Sequence, residues 1–134
     1  MTKIMIMEDD AFLKEFYSFV FNKLGFAADI LEDGDVFFQK LQTEKYDLIL
    51  MDLSLKHTHL NGKKVDGVFL SRLVKENDEL KKIPIIIVTA HLVNHHSKHL
   101  FDESLADDYI IKPISNVHVF IDRINATIEE SQQI

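Results

Sequence analysis

The sequence predicts an α/β fold, a doubly wound layer of five parallel strands with helices on both faces, and three observations predict it. Short apolar runs alternate with segments whose apolar residues recur at helical spacing, the pattern of βα repeats. Three of those runs, Ile4-Met5-Ile6-Met7, Leu48-Ile49-Leu50-Met51 and Ile85-Ile86-Ile87-Val88, are unbroken, as strands are when helices cover both sides. The residues with the most chemistry follow such runs directly: Glu8 and Asp9, Asp52, Thr89-Ala90, and Lys112-Pro113 after Tyr109-Ile110-Ile111. In a parallel sheet these positions share the carboxyl edge, where open α/β folds bind ligands.

Taken in order, the first strand covers residues near 3–7 and leads into a helix whose Phe12, Phe16, Phe19 and Val20 form an apolar stripe expected to pack into the core. A second strand near 26–31 precedes a helix carrying Val36, Phe37 and Leu41, and a third strand runs near 47–52. Residues 53–66 read as a surface loop, followed by a helix with Phe69, Leu70, Leu73 and Val74. The fourth strand lies near 84–89, and the fourth helix, near 92–103, has the poorest apolar pattern. A fifth strand near 107–111 leads to a last helix from about Ser115, expected as its N-cap, with Val117, Phe120, Ile121, Ile124 and Ile128 on one face.

Bulk properties narrow the function. At 134 residues and 46% hydrophobic content, one core and a single domain spanning 1–134 are expected, with no attached output domain. Pro occurs only at positions 84 and 113 and Gly at four, leaving no flexible linker or low-complexity tract. A formal charge of −7 with no polybasic stretch argues against direct nucleic-acid binding. The absence of Cys removes disulfides, thiolate metal sites and cysteine nucleophiles, and leaves the redox compartment undetermined. The N-terminus reaches carboxylates too soon for a signal peptide, and no run approaches the roughly 20 apolar residues of a membrane span. A soluble, cytoplasmic protein is expected, without membrane insertion.

Glu8, Asp9 and Asp52, if gathered at one sheet edge, repel one another unless a cation sits among them. Mg²⁺ suits such a set: it prefers hard oxygen ligands and commonly takes one or two carboxylates plus phosphate oxygens. With the Thr89 hydroxyl and the Lys112 ammonium nearby, the edge has the equipment for phosphoryl transfer.

With Met7-Glu8-Asp9-Asp10, Asp52 after a buried strand, Thr89-Ala90, the lead-in Ala106-Asp107-Asp108-Tyr109, and Lys112-Pro113-Ile114, the chain resembles the receiver domain of two-component response regulators, in its stand-alone, chemotaxis-regulator-like form. The match covers essentially the whole length, and it is the joint order of these elements that carries it. The resemblance implies a flavodoxin-like (βα)5 fold with strand order 2-1-3-4-5. It implies Asp52 as phosphoacceptor, taking the phosphoryl group from a histidine kinase, a histidine phosphotransfer protein or a small acyl phosphate. By similarity Asp9 and Asp52 would bind Mg²⁺ directly, Glu8 through water, and the backbone carbonyl of Ser54 would complete the protein's share. Lys112 and Thr89 would each face a phosphoryl oxygen, and the Lys112–Pro113 bond is expected to be cis. Thr89 and Tyr109 would form the switch, changing the surface of the fourth helix, fifth strand and last helix that meets a downstream protein target. Such a protein would be a phosphoacceptor that assists its own phosphorylation and dephosphorylation, not an enzyme.

Each element alone has a plainer meaning: acids in the first turn of a helix for Glu8, Asp9 and Asp10, a strand-ending turn for Asp52, and ordinary turns at Thr89-Ala90 and Lys112-Pro113. Two rival functions are a phosphorylation-independent binding module and an aspartate-nucleophile hydrolase of the haloacid dehalogenase type. The second would normally need an acid two positions after the nucleophile, where Ser54 stands. The sequence also departs from the family pattern. No Pro follows Asp52 before Asp66, Gly67 arrives about seven positions late, and Leu105 occupies a place usually held by Gly, so a differently built turn is expected there. The loop holds His57, His59, Lys63 and Lys64, expected as solvated residues, and His91, His95, His96 and His99 are expected on a solvated, polar fourth helix.

Overall fold

The computed structural model describes residues 1–90 and 98–133. Its elements are β1 (Lys3–Met7), α1 (Ala11–Lys23), β2 (Ala27–Leu31), α2 (Gly34–Thr43), β3 (Leu48–Asp52), β4 (His59–Leu60), β5 (Lys63–Lys64), α3 (Gly67–Lys75), β6 (Ile85–Thr89), α4 (Lys98–Ser104), β7 (Asp108–Ile111) and α5 (Val117–Gln132). Five of the strands form one parallel sheet in the order β2-β1-β3-β6-β7, the expected 2-1-3-4-5 arrangement once the short β4–β5 pair is set aside. Two apolar clusters sandwich it. Phe37, Leu41, Leu70 and Val74 of α2 and α3 pack on one face, and Tyr17, Phe21, Phe120 and Ile124 of α1 and α5 on the other. Burial on both sides explains why the central strands β1, β3 and β6 carry continuous apolar runs.

Three expectations need correction. The buried face of α1 is Tyr17, Val20 and Phe21, whereas Phe12 and Phe19 are 75% and 62% exposed and Phe16 is half-buried. Apolar residues lie on two sides of this helix, so spacing alone could not fix which side turns inward. Asn116, not Ser115, caps α5, its side-chain oxygen accepting the Val119 N–H at 3.1 Å. The stretch 53–66 contains a folded hairpin in place of an open loop, with Asn61 and Gly62 both at positive φ (53° and 80°) as a two-residue hairpin turn requires.

That hairpin is docked on α2. Thr58, fully buried, donates its hydroxyl to the Glu32 carbonyl at 2.8 Å, and the Asn61 N–H donates to Asp35 Oδ1 at 3.0 Å. Gly34 lies so close to the hairpin that a Cβ there would stand 2.6 Å from the His59 carbonyl oxygen. The excursion returns at Gly67, where a Cβ would come within 2.0 Å of the Asp52 carbonyl oxygen, so α3 starts against the end of β3 despite the late glycine.

The turn after α4 has the left-handed shape that glycine favours, built with Leu105 at φ 58°. Its difference from a glycine turn is therefore one of strain, not of path. The Lys112–Pro113 peptide is cis, as expected. Of the four histidines assigned to the fourth helix, His99 is exposed on α4, while His91, His95 and His96 lie outside the described residues, as do positions 92–97 of the expected helix. Among the described residues no helix is long and apolar enough to cross a membrane.

Candidate phosphoacceptor site

Strand register assembles the site. Met7 pairs with Met51, so Glu8 and Asp52, each one residue further on, end adjacent strands side by side. Asp52 pairs with Val88 and Thr89 with Ile111, which brings Thr89 and Lys112 to the same edge. The Lys112 N–H donates to the Thr89 carbonyl at 2.7 Å, tying the two strand ends together.

The carboxylates converge. One oxygen from each of Glu8, Asp9 and Asp52 lies within 4.8 Å of the others, close enough to share a cation. Glu8 and Asp52 are almost wholly buried, and Lys112 Nζ stands 3.2 Å from Glu8 Oε1 and 3.4 Å from Asp52 Oδ1. Burial pushes the Glu8 pKa up to about 7, the Asp52 charge adds to the rise, and Lys112 opposes it. The Ser54 N–H donates to Asp52 Oδ1 at 3.1 Å and the Lys56 N–H to Asp9 Oδ2 at 2.8 Å, so the chain just after β3 orients two of the three acids. Asp10 lies just before the first turn of α1 and not within it as the plainer reading has it, and it caps the helix by accepting the Leu13 N–H at 2.9 Å.

These groups open into a cleft of about 650 Å³ lined by Glu8, Asp9, Asp52, Ser54, Ala90 and Lys112, with Phe12, Phe16, Pro113 and Ile114 on an apolar wall and Lys56 and His57 at another margin. Thr89 is buried at the end of β6, next to Ala90. Tyr109 is half-buried on β7, edge-on to Phe101 of α4 with ring centroids 5.3 Å apart. Arg123 of α5 holds the same strand, bonding Asp108 Oδ2 at 2.6 Å and the Tyr109 carbonyl at 2.9 Å. The donor set is all hard oxygen, and the crowding of buried carboxylates that raises the Glu8 pKa is what a small divalent cation relieves, so the residues fit Mg²⁺. The contributions of Lys56 and Gly67 escaped sequence reasoning, because a backbone N–H and a close backbone approach leave no side-chain signature.

The model for the response regulator receiver domain matches residues 4–125. The chain belongs to this family. Among curated relatives, response regulator ArlR of Staphylococcus saprophyticus is 32% identical over 99% of this chain and 55% of its own length. The transcriptional regulatory protein ResD of Bacillus subtilis is 32% identical over 98% of this chain and 50% of its own. The chain thus spans about half the length of these relatives. Among solved structures, the receiver domain of a signal transduction histidine kinase from Syntrophus aciditrophicus superposes with a TM-score of 0.83 at 24% identity, covering 100% of this chain and 95% of that one. The receiver domain of sensor histidine kinase PA1611 from Pseudomonas aeruginosa, with a magnesium ion in its active-site cleft, gives 0.78 at 22% identity, covering 96% and 98%. Both agree with the flavodoxin-like receiver fold, and receivers as a family are phosphoacceptors in two-component signalling.

Proposed function

We propose that this receiver takes a phosphoryl group on Asp52 from a histidine kinase or histidine phosphotransfer protein and signals through the surface formed by α4, β7 and α5. The observation that carries this reading is the convergence of Glu8, Asp9 and Asp52 beside the Lys112 ammonium. Asp9 and Asp52 would hold Mg²⁺ directly, with the Ser54 carbonyl beside them and Glu8 acting through water; the magnesium-bound cleft of the Pseudomonas receiver is in keeping with this. When bound, the cation supplies positive charge to one phosphoryl oxygen.

The remaining work falls to the chain. Ser54 N–H and Lys112 Nζ both face Asp52 Oδ1 and so fix the carboxyl plane. An Asp52 oxygen attacks phosphorus, a P–O bond forms, and the bond to the donor's histidine nitrogen or acyl oxygen breaks, its electron pair leaving with the donor. Lys112, already within ion-pair distance of that carboxylate, takes a second phosphoryl oxygen, and the Thr89 hydroxyl turns to a third. Movement at Thr89 passes to Tyr109 and the α4-β7-α5 surface, where a downstream protein binds. The chain acts in the cytoplasm as a phosphoacceptor that assists its own phosphorylation and dephosphorylation, not as a multiple-turnover enzyme.

Incubation with acetyl phosphate and Mg²⁺ tests this. One hydroxylamine-sensitive phosphate on Asp52, absent in Asp52→Asn, is expected. No labelling from any donor would point to a phosphorylation-independent binding module, and repeated turnover of assorted phosphomonoesters would point to a hydrolase.

A further inference from the structure

The hairpin between Asp52 and Gly67 supplies none of the three converging carboxylates, yet it is anchored to the fold at several points. Thr58 anchors it to the Glu32 carbonyl, Asp35 accepts the Asn61 N–H, Gly34 accommodates its backbone, and Leu60 packs on the α2–α3 core. Its charge is the opposite of the rest of the molecule. Residues 56–64 contain Lys56, His57, His59, Lys63 and Lys64 and no acid, so with neutral histidines they carry +3 while the remaining chain carries −10. Among the described residues Lys56, Lys63 and Lys64 form no ion pair; Lys23, Lys45 and Lys82 form none either, but those three are scattered over the surface, whereas the hairpin lysines fall within nine residues of one another.

The hairpin also has a defined outer face. Leu60 turns to the core, and alternation along the strand sends His59, with its cross-strand partner Lys64, the other way into solvent. At its base, Lys56 and His57 line the phosphoacceptor cleft. An anchored basic ribbon whose root reaches the cleft margin is suited to meet a molecule that also reaches the cleft.

We propose that the β4–β5 hairpin is a docking surface for an acidic segment of a partner protein. Three lysines on a molecule otherwise charged −10 suit a short acidic segment better than a long polyanion, which the surrounding acids would repel. The hairpin stands on α2 and the β3–α3 connection, whereas β7 of the phosphorylation-responsive surface is the opposite edge strand of the sheet from β2, so the two surfaces can be occupied together.

The test is titration of the ¹⁵N-labelled protein with a ten-residue polyglutamate peptide. Amide shifts confined to residues 56–65 and their α2 contacts are expected, with affinity falling at least tenfold in Lys63→Glu/Lys64→Glu and by less in Lys63→Gln/Lys64→Gln. Affinity should also drop steeply with added salt. Both lysines are exposed, and an unchanged melting temperature would show that the variants fold. Absence of binding, shifts centred elsewhere, or equal affinity for a short DNA duplex or phosphatidylserine vesicles would each overturn the proposal. Acetyl phosphate labelling of the same samples is expected to be unchanged, which distinguishes failure of the docking surface from failure of the phosphoacceptor reading.

Discussion

Glu8 is the residue whose ionisation the site perturbs most usefully. Its folded pKa of about 7 exceeds its ordinary 4.5, so between those values the folded state holds a proton that the unfolded state has released. Its contribution to stability is therefore fully present below pH 4.5 and is lost as pH rises through 7, on the order of 3 kcal/mol in all. In EDTA, the urea midpoint should fall between pH 5 and pH 8, and Glu8→Gln should flatten that fall; equal slopes would contradict the assignment. Lys112→Ala should fold and still bind Mg²⁺, at least as tightly as the parent, because a resident cation 3.2 Å from Glu8 and 3.4 Å from Asp52 has been removed. It should also lose the link between phosphorylation and partner affinity, measurable by pull-down with acetyl phosphate present or absent. Leu105 offers a separate check. A left-handed leucine costs about 1–2 kcal/mol, and glycine gives back part of that in unfolded-chain entropy, so Leu105→Gly should stabilise the protein by about 0.5–1 kcal/mol. Leu105→Ala, which keeps a Cβ, should bring no such gain in a urea melt.

At the level of elements, what could be read from the sequence and what could not divide along physical lines. The three central strands and the order of the site residues were legible because a strand buried on both faces must be apolar throughout, and the residue that ends it then stands out, whereas the half-buried edge strands β2 and β7 were legible only from their alternation with helical segments. The inward face of α1 was not legible, since Phe12 and Phe19 are as apolar as Tyr17 and Phe21 and only tertiary packing against the sheet, Phe26 and Phe120 chooses between them. The hairpin had a signal in Asn61-Gly62, but strands of two residues are too short to show any periodicity. Its insertion leaves the geometry of the site dependent on Gly67, where α3 starts against Asp52. Gly67→Ala would drive a Cβ to 2.0 Å from the Asp52 carbonyl, a backbone atom of a buried strand that cannot yield cheaply. A loss above about 3 kcal/mol together with weaker Mg²⁺ binding is expected, read by urea melts with and without the cation. A mild, purely thermodynamic effect with normal metal affinity would mean that α3 can shift without moving Asp52.

Over the whole molecule, the site and the surface proposed to respond to it sit in different mechanical settings. Asp52 ends β3, at the centre of the sheet and buried along its length, while β7 is an edge strand half-buried at every position. Strain introduced at Asp52 therefore has little room to spread through β1 and β3, whose packing is closed on both faces, and is released more cheaply at the edge. Beyond its pairing with β6, the restraints there among the described residues include the Tyr109 ring against Phe101 and Arg123 bonding Asp108 and the Tyr109 carbonyl. Phosphorylation should accordingly alter amide hydrogen exchange in β7, the start of α5 and α4, and leave β1 and β3 unchanged. Arg123→Ala, which removes one restraint on β7, should raise exchange there before phosphorylation and shrink the further change on adding acetyl phosphate. Because that ion pair is largely exposed, its loss should cost under about 1 kcal/mol of global stability, so the effect on exchange would report local release of the edge strand and not general unfolding. Changes centred on β2 and α2 instead would mean that the signal leaves by the opposite edge, and the assignment of Tyr109 to the switch would fail with it.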